Sequence, residues 1–328
     1  MRDLEVGDPL DQFVITELLG RSGMASLFKA TDTCTGAAAV LKVPHVQFES
    51  DVVFYERFRR EERIGQTIRH PNVVRVLEPR EKSRMYLAME YVEGRSLHAL
   101  LQETGPLAPE AALAIARQVG SGLACLHEHG VVHRDIKPEN VHVTPSGAVK
   151  ILDFGIALLE SARRLTWAGL SHAIGTPDYM APEQIRGRRG DARTDVYALG
   201  TLLHELLTGA TPFAEASPEA LLRLKLERDP DPPGARRPGI DPGLDAIVTT
   251  ALARDPRDRF QSAAELLAAL EDPRSFSPRR RAPPRARALP GLRPALAVLA
   301  LAVALAGFGA LAWLRAPGAP PRAAPAGR

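Results

Sequence analysis

Three short strings hold the residues best suited to chemistry in this chain of 328 residues. They are, in chain order, His133-Arg134-Asp135-Ile136-Lys137-Pro138-Glu139-Asn140, Asp153-Phe154-Gly155 and Ala181-Pro182-Glu183. Asp135 is a candidate for accepting or orienting a proton, and Lys137 adds a positive charge beside it. Asn140 and Asp153 offer oxygen atoms, which are the ligands that a hard cation such as Mg²⁺ prefers. The set combines a proton acceptor, a cation and two metal ligands.

Apolar segments beside these strings predict the strands that position them. Val141–Val143 follows Asn140 directly, and Val149–Leu152 ends just before Asp153. Both segments are rich in residues that favour strands, and each adjoins a loop that carries one metal ligand. The two loops therefore fall where metal ligands must converge.

In order and separation, the three strings resemble the active-site motifs of the Hanks-type serine/threonine protein kinases, most closely the membrane-bound kinases of bacteria. The resemblance covers residues 13–270, and Lys137, two residues after the catalytic Asp, matches the serine/threonine branch. It implies ATP as the phosphate donor, Mg²⁺ (with Mn²⁺ as the alternative) as the cofactor, and protein serine or threonine hydroxyls as acceptors. Asp135 would orient the hydroxyl, while Asn140 and Asp153 would hold the metal, because phosphoryl transfer depends on positioning and charge neutralisation.

A segment after the apolar run Phe13–Leu19 resembles the glycine-rich loop that covers the phosphates of ATP. Its second and third glycine positions hold Ser22 and Ala25, which are small but lack the conformational freedom of glycine at positive φ. Gly23 lies next to Ser22 and is expected to compensate, although the segment alone is also compatible with an ordinary hairpin turn. The resemblance assigns these residues to nucleotide binding: Leu19, Gly20, Arg21, Ser22, Gly23, Met24, Ala25, Ser26 and Leu27.

The next predicted strand carries the lysine that would bind the phosphates. Ala39–Lys42 resembles the Val-Ala-Ile-Lys motif of the family, so Lys42 would pair with the α- and β-phosphates. Val40 replaces the usual alanine, and its larger side chain is expected to narrow the space above the adenine ring. The predicted helix Asp51–Thr67 carries Glu61, which the resemblance makes the partner of Lys42. The alternative is that Glu61 is one more solvated acid on a helix face.

Tyr86–Gly94 is a predicted strand that runs into a glycine, and it resembles the hinge between the two lobes of a kinase. The resemblance assigns main-chain groups of Glu90 and Val92 to the edge of adenine, with Met89 as the gatekeeper.

Further residues match scaffold positions of the family. Thr176 matches the threonine placed against the catalytic Asp and Lys, and Glu183 would pair with Arg259. Asp195 would anchor the backbone of the catalytic loop. His133 is expected to support that loop through hydrogen bonds rather than to catalyse.

Arg134 suggests how activity would be regulated. In the family, an arginine before the catalytic Asp usually meets a phosphate on the segment that here spans Asp153–Glu183. We hypothesise that the kinase phosphorylates itself in trans at Thr166 or Ser171, with Ser171 slightly favoured. The alternative is that a carboxylate or a backbone carbonyl satisfies Arg134 and no phosphorylation is needed.

Periodicity predicts an α+β fold of two lobes, with the functional site in the cleft between them. Residues 1–12 form an N-terminal extension, residues 13–93 a strand-rich N-lobe and residues 94–270 a helical C-lobe. The predicted strands are Phe13–Leu19, Leu27–Ala30, Ala38–Val43, Val73–Leu77 and Tyr86–Tyr91. The predicted helices after Ser96 are Pro109–Glu128, Asp195–Leu207 and Ser262–Leu270.

The C-terminal region predicts attachment to a membrane. The net charge is only +3, but residues 271–294 are rich in proline and arginine, which predicts a disordered juxtamembrane linker. Ala295–Leu314 contains no charged residue and as a helix would span about 30 Å, so it predicts one transmembrane helix. The arginine excess places the kinase domain in the cytoplasm and leaves residues 315–328 as a short extracytoplasmic tail. No folded platform accompanies the arginines, so no nucleic acid is expected as a partner.

The sequence thus predicts a tail-anchored, single-pass serine/threonine protein kinase. Ala302, Ala306 and Ala310 recur every four residues, which suggests the hypothesis of a homodimer through the span. The main alternative is a pseudokinase, an ATP-binding signalling scaffold without phosphotransfer, which the substitutions Ser22, Ala25 and Val40 motivate. Phosphotransfer to a small molecule is disfavoured by Lys137 and by the motif Ala181-Pro182-Glu183.

Overall fold

An antiparallel sheet forms most of the N-lobe, and in its strands Ala25–Asp32 and Ala38–Pro44 buried side chains alternate with partly exposed ones. The computed structural model describes residues 3–48, 51–152, 177–213 and 217–278, except the side chains of residues 53, 57 and 61. Within these ranges the sheet has the order β1-β2-β3-β4-β5. The strands are β1 Pro9–Leu10, β2 Phe13–Arg21, β3 Ala25–Asp32, β4 Ala38–Pro44 and β5 Leu87–Glu90. Helix α1, Val52–Thr67, follows β4 after a short 3-10 turn at Val46–Phe48.

One predicted strand is wrong. Residues 73–77 form single bridges, Val73 with Ile151 and Val76 with Met89, and not a strand. The cause is a change of partner: the N–H of Val74 donates to Ile151, whereas the N–H of Leu77 donates to Ala88 of β5. A segment that crosses from one sheet to the other cannot maintain a ladder with either.

Helices build the C-lobe around a second, small sheet. That sheet has the order β6-β7-β8, with β6 at Arg95–Ser96, β7 at Val141–Val143 and β8 at Val149–Ile151. Described helices of the lobe are α2 Leu97–Thr104, α3 Pro109–Glu128, α4 Pro182–Ile185, α5 Ala192–Thr208, α6 Pro218–Glu227, α7 Pro233–Arg236, α8 Pro242–Ala251 and α9 Ala263–Glu271. Short polar caps fix several starts: the side chains of Ser96, Asp191, Ser217 and Ser262 accept the first free N–H groups of α2, α5, α6 and α9.

Helix α5 forms the centre of the C-lobe. Its side chains are buried along almost the whole helix, and they share one apolar core with α3, α8 and α9. Gly200 permits the close approach of α8, because a Cβ there would lie 2.8 Å from the Cβ of Ala251. Both lobes thus bury an apolar core, which fits the predicted strand-rich N-lobe and helical C-lobe.

The C-lobe extends beyond the predicted start of the linker at residue 271. Pro273–Ser275 forms a 3-10 turn, and the ring of Phe276 lies 5.4 Å from that of Phe260 between centroids. Residues up to Pro278 belong to the same compact unit. The proline-rich composition therefore did not predict where the folded C-lobe ends. The predicted linker from residue 279, the transmembrane helix and the tail lie outside the described residues.

A buried ion pair joins two distant segments of the C-lobe, and it is the predicted pair of Glu183 and Arg259. Arg259 donates from both terminal nitrogens to Glu183, at 2.8 Å each, and both residues are buried. Thr194 adds a third hydrogen bond to this carboxylate at 2.8 Å. Burial alone would raise the pKa of Glu183, but the hydrogen bonds and charge of Arg259 hold it below its ordinary value. The pairing confirms the expected scaffold role of both residues.

Breaking this pair should destabilise the C-lobe strongly. Arg259→Met leaves the buried carboxylate of Glu183 without its counter-charge, and we expect the free energy of unfolding to fall by about 3–5 kcal/mol. The measurement is urea unfolding followed by circular dichroism. Arg257→Met is the matched control, because that arginine is 83% exposed and its removal should change stability little. Equal stability of the two variants would contradict the structural role of the pair.

Candidate active site

The catalytic loop, defined here as His133–Asn140, is held by one buried carboxylate. Asp195 at the start of α5 is fully buried, and its two oxygens accept the N–H groups of His133 at 2.8 Å and Arg134 at 2.6 Å. His127 of α3 approaches the same carboxylate at 2.8 Å. The predicted anchoring role of Asp195 is confirmed. Because both N–H groups point at Asp195, the backbone of Arg134 takes a left-handed conformation with φ of 67°, which is unfavourable for a side chain of this size.

His133 connects this loop to the strand that precedes Asp153. Its Nε2 lies 3.1 Å from the carbonyl of Leu152, and its Nδ1 accepts the N–H of Asp135 at 3.3 Å. A carbonyl can only accept, so these contacts require the proton on Nε2. The N–H of Leu152 in turn donates to the carbonyl of Asn140 at 2.8 Å. His133 therefore supports the loop through hydrogen bonds, as predicted.

Three predicted catalytic residues meet within this loop. The ammonium of Lys137 lies 2.9 and 3.1 Å from the two carboxylate oxygens of Asp135. The amide nitrogen of Asn140 donates to the carboxylate of Asp135 at 2.9 Å and to its carbonyl at 2.7 Å. Asp135 is thus bound by a cation on one side and an amide on the other. A carboxylate held in this way is kept in one orientation, with its oxygens at the edge of the loop.

The residues present fit a divalent cation. Asn140 uses its amide nitrogen to bind Asp135, so its amide oxygen points away from that carboxylate. That oxygen is a suitable ligand for Mg²⁺. The second predicted ligand, Asp153, lies outside the described residues, but Leu152 before it is fixed against Asn140. No cluster of three or more acidic, histidine or cysteine ligands occurs in the part of the chain that the structure describes.

Strand β4 separates the N-lobe core from the predicted nucleotide site. Leu41 and Val43 are buried on one face, in the core of the sheet. Val40 lies on the other face, where it packs on the apolar cluster that contains Met89, and Lys42 alternates to that face as well. Register places Val40 opposite Met89 and Lys42 opposite Leu87. Val40, which is predicted to lie over adenine, and Lys42, which is predicted to bind the phosphates, therefore share one face of the sheet.

The glycine-rich segment is a hairpin between β2 and β3. Leu19, Gly20 and Arg21 end β2, Ala25, Ser26 and Leu27 begin β3, and Ser22–Met24 forms the turn. The hydroxyl of Ser22 accepts the N–H of Ala25 at 3.1 Å and lies 3.0 Å from its carbonyl. Gly23 does not adopt a positive φ here, and its compensating role in nucleotide binding remains a prediction. A main-chain hydrogen bond from the N–H of Ser22 to the carbonyl of Ala25, at 2.8 Å, closes this turn, and the Ser22 side chain adds to it.

Helix α1 carries the predicted partner of Lys42. The backbone of Glu61 lies within α1, but its side chain is outside the described part of the structure. Its neighbour Glu62 pairs instead with Lys82. The pairing of Lys42 with Glu61 remains a prediction.

The hinge joins the lobes through a residue whose side chain the sequence did not assign. Glu90 accepts the N–H of Arg75 at 2.9 Å and the ammonium of Lys150 at 2.6 Å. Arg75 belongs to the N-lobe and Lys150 to β8 of the C-lobe, so Glu90 ties the lobes beside the predicted adenine site. Val92, two residues on, makes no backbone hydrogen bond to other described residues. The role of its main-chain groups at the adenine edge remains a prediction.

A further contact, which the sequence did not reveal, joins the catalytic loop to Pro177–Glu183, here called the acceptor platform. Gln184 of α4 accepts the N–H of Ala181 at 2.8 Å and donates to the carbonyl of Arg134 at 3.0 Å. The local half of this contact has a sequence signal, since a Gln three residues after the start of a helix often caps it. The long-range half has none.

Comparison with known proteins agrees with this geometry. The family description "Protein kinase domain" matches residues 13–269. A serine/threonine-protein kinase PknB of Mycolicibacterium smegmatis is 39% identical over 267 residues, covering 79% of this chain and 42% of the relative. The PknB of Mycobacterium tuberculosis is 38% identical over 267 residues, with the same coverage. The chain therefore spans about two fifths of the length of the curated relatives it matches.

Solved structures extend the comparison to the fold. The crystal structure of the Mycobacterium tuberculosis PknI kinase domain is similar with a TM-score of 0.64 and 27% identity. The match covers 83% of this chain and 100% of that domain. The fold is the bilobal protein kinase fold, with its strand-rich N-lobe and helical C-lobe. On the match over residues 13–269, this chain belongs to the protein kinase domain family.

Proposed function

We propose that the protein is an ATP-dependent serine/threonine protein kinase. The observation that carries the proposal is the arrangement around Asp135, whose carboxylate is bound by Lys137 and Asn140 in a loop anchored on Asp195. Curated bacterial relatives named serine/threonine-protein kinases support the same activity. The cofactor is a divalent cation, Mg²⁺ by the oxygen character of its ligands, with Mn²⁺ as the alternative.

Each residue of the loop has a distinct part in this reaction. Asp135 orients the acceptor hydroxyl and takes its proton as the oxygen attacks the γ-phosphorus of ATP, while the bond from that phosphorus to the β-phosphate oxygen breaks and ADP leaves. Lys137 lies beside that carboxylate, where it stabilises negative charge on the transferring group. Asn140, together with Asp153, holds the cation, which neutralises the phosphates when bound. Lys42 binds the α- and β-phosphates, with Glu61 as its partner in α1.

The nucleotide site gives no support to a pseudokinase. Ser22 and Ala25 replace glycines, but the hydroxyl of Ser22 forms the turn that glycine would otherwise favour. Val40 packs into the apolar cluster beside Met89 without leaving the strand register. The charged residues that phosphotransfer needs are present in the sequence.

We further propose that Ala295–Leu314 anchors the kinase in a membrane, with the domain on the cytoplasmic side. The sequence alone supports this, because the segment has no charge and follows an arginine-rich stretch. In the described ranges, no helix is long and apolar enough to cross a membrane. A homodimer formed through Ala302, Ala306 and Ala310 belongs to the same proposal.

A third part of the proposal is activation by phosphorylation in trans at Thr166 or Ser171, both outside the described residues. A cluster of arginines supports it. Burial first, and then the charge of Arg189, lower the pKa of Arg134, and Arg60 adds to the repulsion. The Nε of Arg134 donates to the carbonyl of Arg189 at 3.1 Å, while its other guanidinium donors bind no described residue. A phosphate would satisfy them and relieve the repulsion.

Replacing the proposed base tests the kinase activity directly. Asp135→Asn keeps the size of the side chain but cannot take the proton, so phosphorylation of a protein acceptor should fall about 10²–10⁴-fold. ATP binding, measured by calorimetry with Mg²⁺, should persist. Glu139→Gln is the control in the same loop, because Glu139 is exposed and its carboxylate lies near His98. Equal transfer by wild type and Asp135→Asn would contradict the kinase assignment.

Two truncations test the membrane anchor. Ending the chain after Pro278 should move the protein from the membrane pellet to the supernatant and leave its kinase activity intact, because the described domain ends there. Ending it after Arg293 removes the span but keeps the basic linker, so any remaining attachment should be electrostatic and should disappear at about 1 M salt. Fractionation and immunoblotting provide the measurement. Full-length protein in the supernatant at low ionic strength would refute the anchor.

Activation by phosphorylation predicts a loss of turnover in a double variant. Thr166→Ala with Ser171→Ala removes both candidate acceptors, and turnover should fall roughly 10-fold or more because no phosphate then binds the guanidinium of Arg134. Ser161→Ala is the control from the same segment. Mass spectrometry of active wild type should show phosphate at one of the two positions. Full activity of the double variant would show instead that Arg134 needs no phosphate.

A further inference from the structure

A fully buried ammonium lies outside the catalytic loop. Lys225 belongs to α6, and only 1% of its surface is exposed. Burying an ammonium ion costs several kcal/mol of solvation, so a lysine is retained in such a place only when specific partners compensate it. Neither the motifs of the sequence nor the proposed reaction accounts for this residue.

The partners of Lys225 are three carbonyls of the acceptor platform. Its Nζ donates to the carbonyl of Pro177 at 3.1 Å, to that of Met180 at 3.0 Å and to that of Asp178. An ammonium has three donors, so this side chain is fully satisfied by one turn of backbone. The ring of Tyr197 lies 5.4 Å from the same nitrogen and completes the site.

The protonated form is the one that this geometry requires. Burial lowers the pKa of Lys225 to about 7, and the charge of Asp178 opposes this effect. A neutral amine has only two donors, so deprotonation would remove one of the three hydrogen bonds to these carbonyls.

The platform that Lys225 holds is continuous with the catalytic loop. Gln184, directly after the platform, donates to the carbonyl of Arg134, the residue before Asp135. The platform side chains are fixed as well, since Tyr179 donates to Glu205 of α5 and Thr211 donates to Asp178 at 3.1 Å. Lys225, by contrast, binds three main-chain carbonyls of the platform. It therefore controls the backbone path of the platform rather than one side chain of it.

We propose that Lys225 is a positioning residue for the protein acceptor: it clamps the carbonyls of Pro177, Asp178 and Met180 so that the platform presents the acceptor hydroxyl to Asp135. The inference rests on the proposed kinase function and assigns it a residue that contacts neither ATP nor the reacting atoms. Loss of the clamp lets the platform move, and small displacements of an acceptor reduce transfer greatly. Use of ATP without a protein acceptor does not depend on the platform.

The test compares two reactions of the same full-length chain, purified in detergent. One is phosphorylation of casein as a general protein acceptor, and the other is hydrolysis of ATP by water. Lys225→Met keeps the length of the side chain and removes the donors. We expect kcat/KM for the acceptor to fall roughly 10-fold or more, with KM for ATP and the hydrolysis rate within about twofold of wild type.

The controls separate positioning from folding. Arg223→Met changes an exposed residue of the same helix, whose side chain is 71% exposed, and should behave as wild type. Lys225→Gln keeps two donors and should lose less of the kcat/KM for the acceptor. If Lys225→Met does not fold, Lys225→Gln decides whether Lys225 positions the platform. Hydrogen exchange adds a readout without catalysis: amides between Asp178 and Arg186 should exchange about tenfold faster in Lys225→Met, while those of α8 should not change.

The outcomes distinguish the clamp from the kinase assignment. Unchanged acceptor kinetics, or an equal loss of acceptor phosphorylation and of ATP hydrolysis, would overturn the clamp. If wild type neither phosphorylates casein nor hydrolyses ATP, the kinase function fails, and exchange alone decides whether Lys225 holds the platform. Faster exchange confined to the platform would support the clamp, and unchanged exchange would refute it.

Discussion

The arrangement of the active site depends on one buried carboxylate, that of Asp195. Two consecutive N–H groups of the catalytic loop donate to it at 2.8 and 2.6 Å, and charge-assisted hydrogen bonds of this kind are about twice as strong as neutral ones. Their strength offsets the unfavourable left-handed backbone at Arg134. That conformation turns the chain sharply, so the side chain of the next residue, Asp135, projects from the loop beside Lys137 and Asn140.

The polar contacts of the C-lobe form one connected set around this anchor. Thr194, the neighbour of Asp195 in α5, donates to Glu183, which Arg259 binds from the far side. Gln184, next to Glu183, returns to the carbonyl of Arg134. Helix α5 therefore fixes the catalytic loop and the acceptor platform from adjacent residues. A buried polar group left without a partner is costly, and hydroxyl, amide and guanidinium groups supply the partners of these carboxylates and carbonyls.

The sequence predicted best those features whose parts are local. Helix α3 begins and ends as predicted, at Pro109 and Glu128, because a proline at the first position and a long apolar period define it. Asp135, Lys137 and Asn140 meet because one tight loop carries all three. Features that depend on distant partners were missed or misjudged. Residues 73–77 hydrogen-bond first to one sheet and then to the other. The contact of Glu90 with Lys150 spans sixty positions. Periodicity along the sequence could reveal neither feature.

Substitutions at positions where the family has glycine show the same limit of prediction from sequence. Ser22 appeared as a loss of glycine freedom, but its hydroxyl bonds across the turn to Ala25 and supplies by side-chain chemistry what glycine supplies by conformation. A residue type indicates which conformations are available to a position. Only the fold shows which hydrogen bonds make one of them favourable.

Arg259 and Lys225, buried cations among the described residues of the C-lobe, bind different kinds of partner because their shapes differ. Arg259 meets a carboxylate, and its planar fork matches the two oxygens of Glu183 at equal distances of 2.8 Å. Lys225 meets carbonyls of one short turn, which lie around a point rather than in a plane. A compact ammonium with three donors suits that arrangement, whereas a planar guanidinium does not. The ion pair therefore fixes the end of the acceptor platform at Glu183, and the ammonium fixes its beginning at Pro177. Between them the platform has little freedom, and it lies against the loop that carries Asp135.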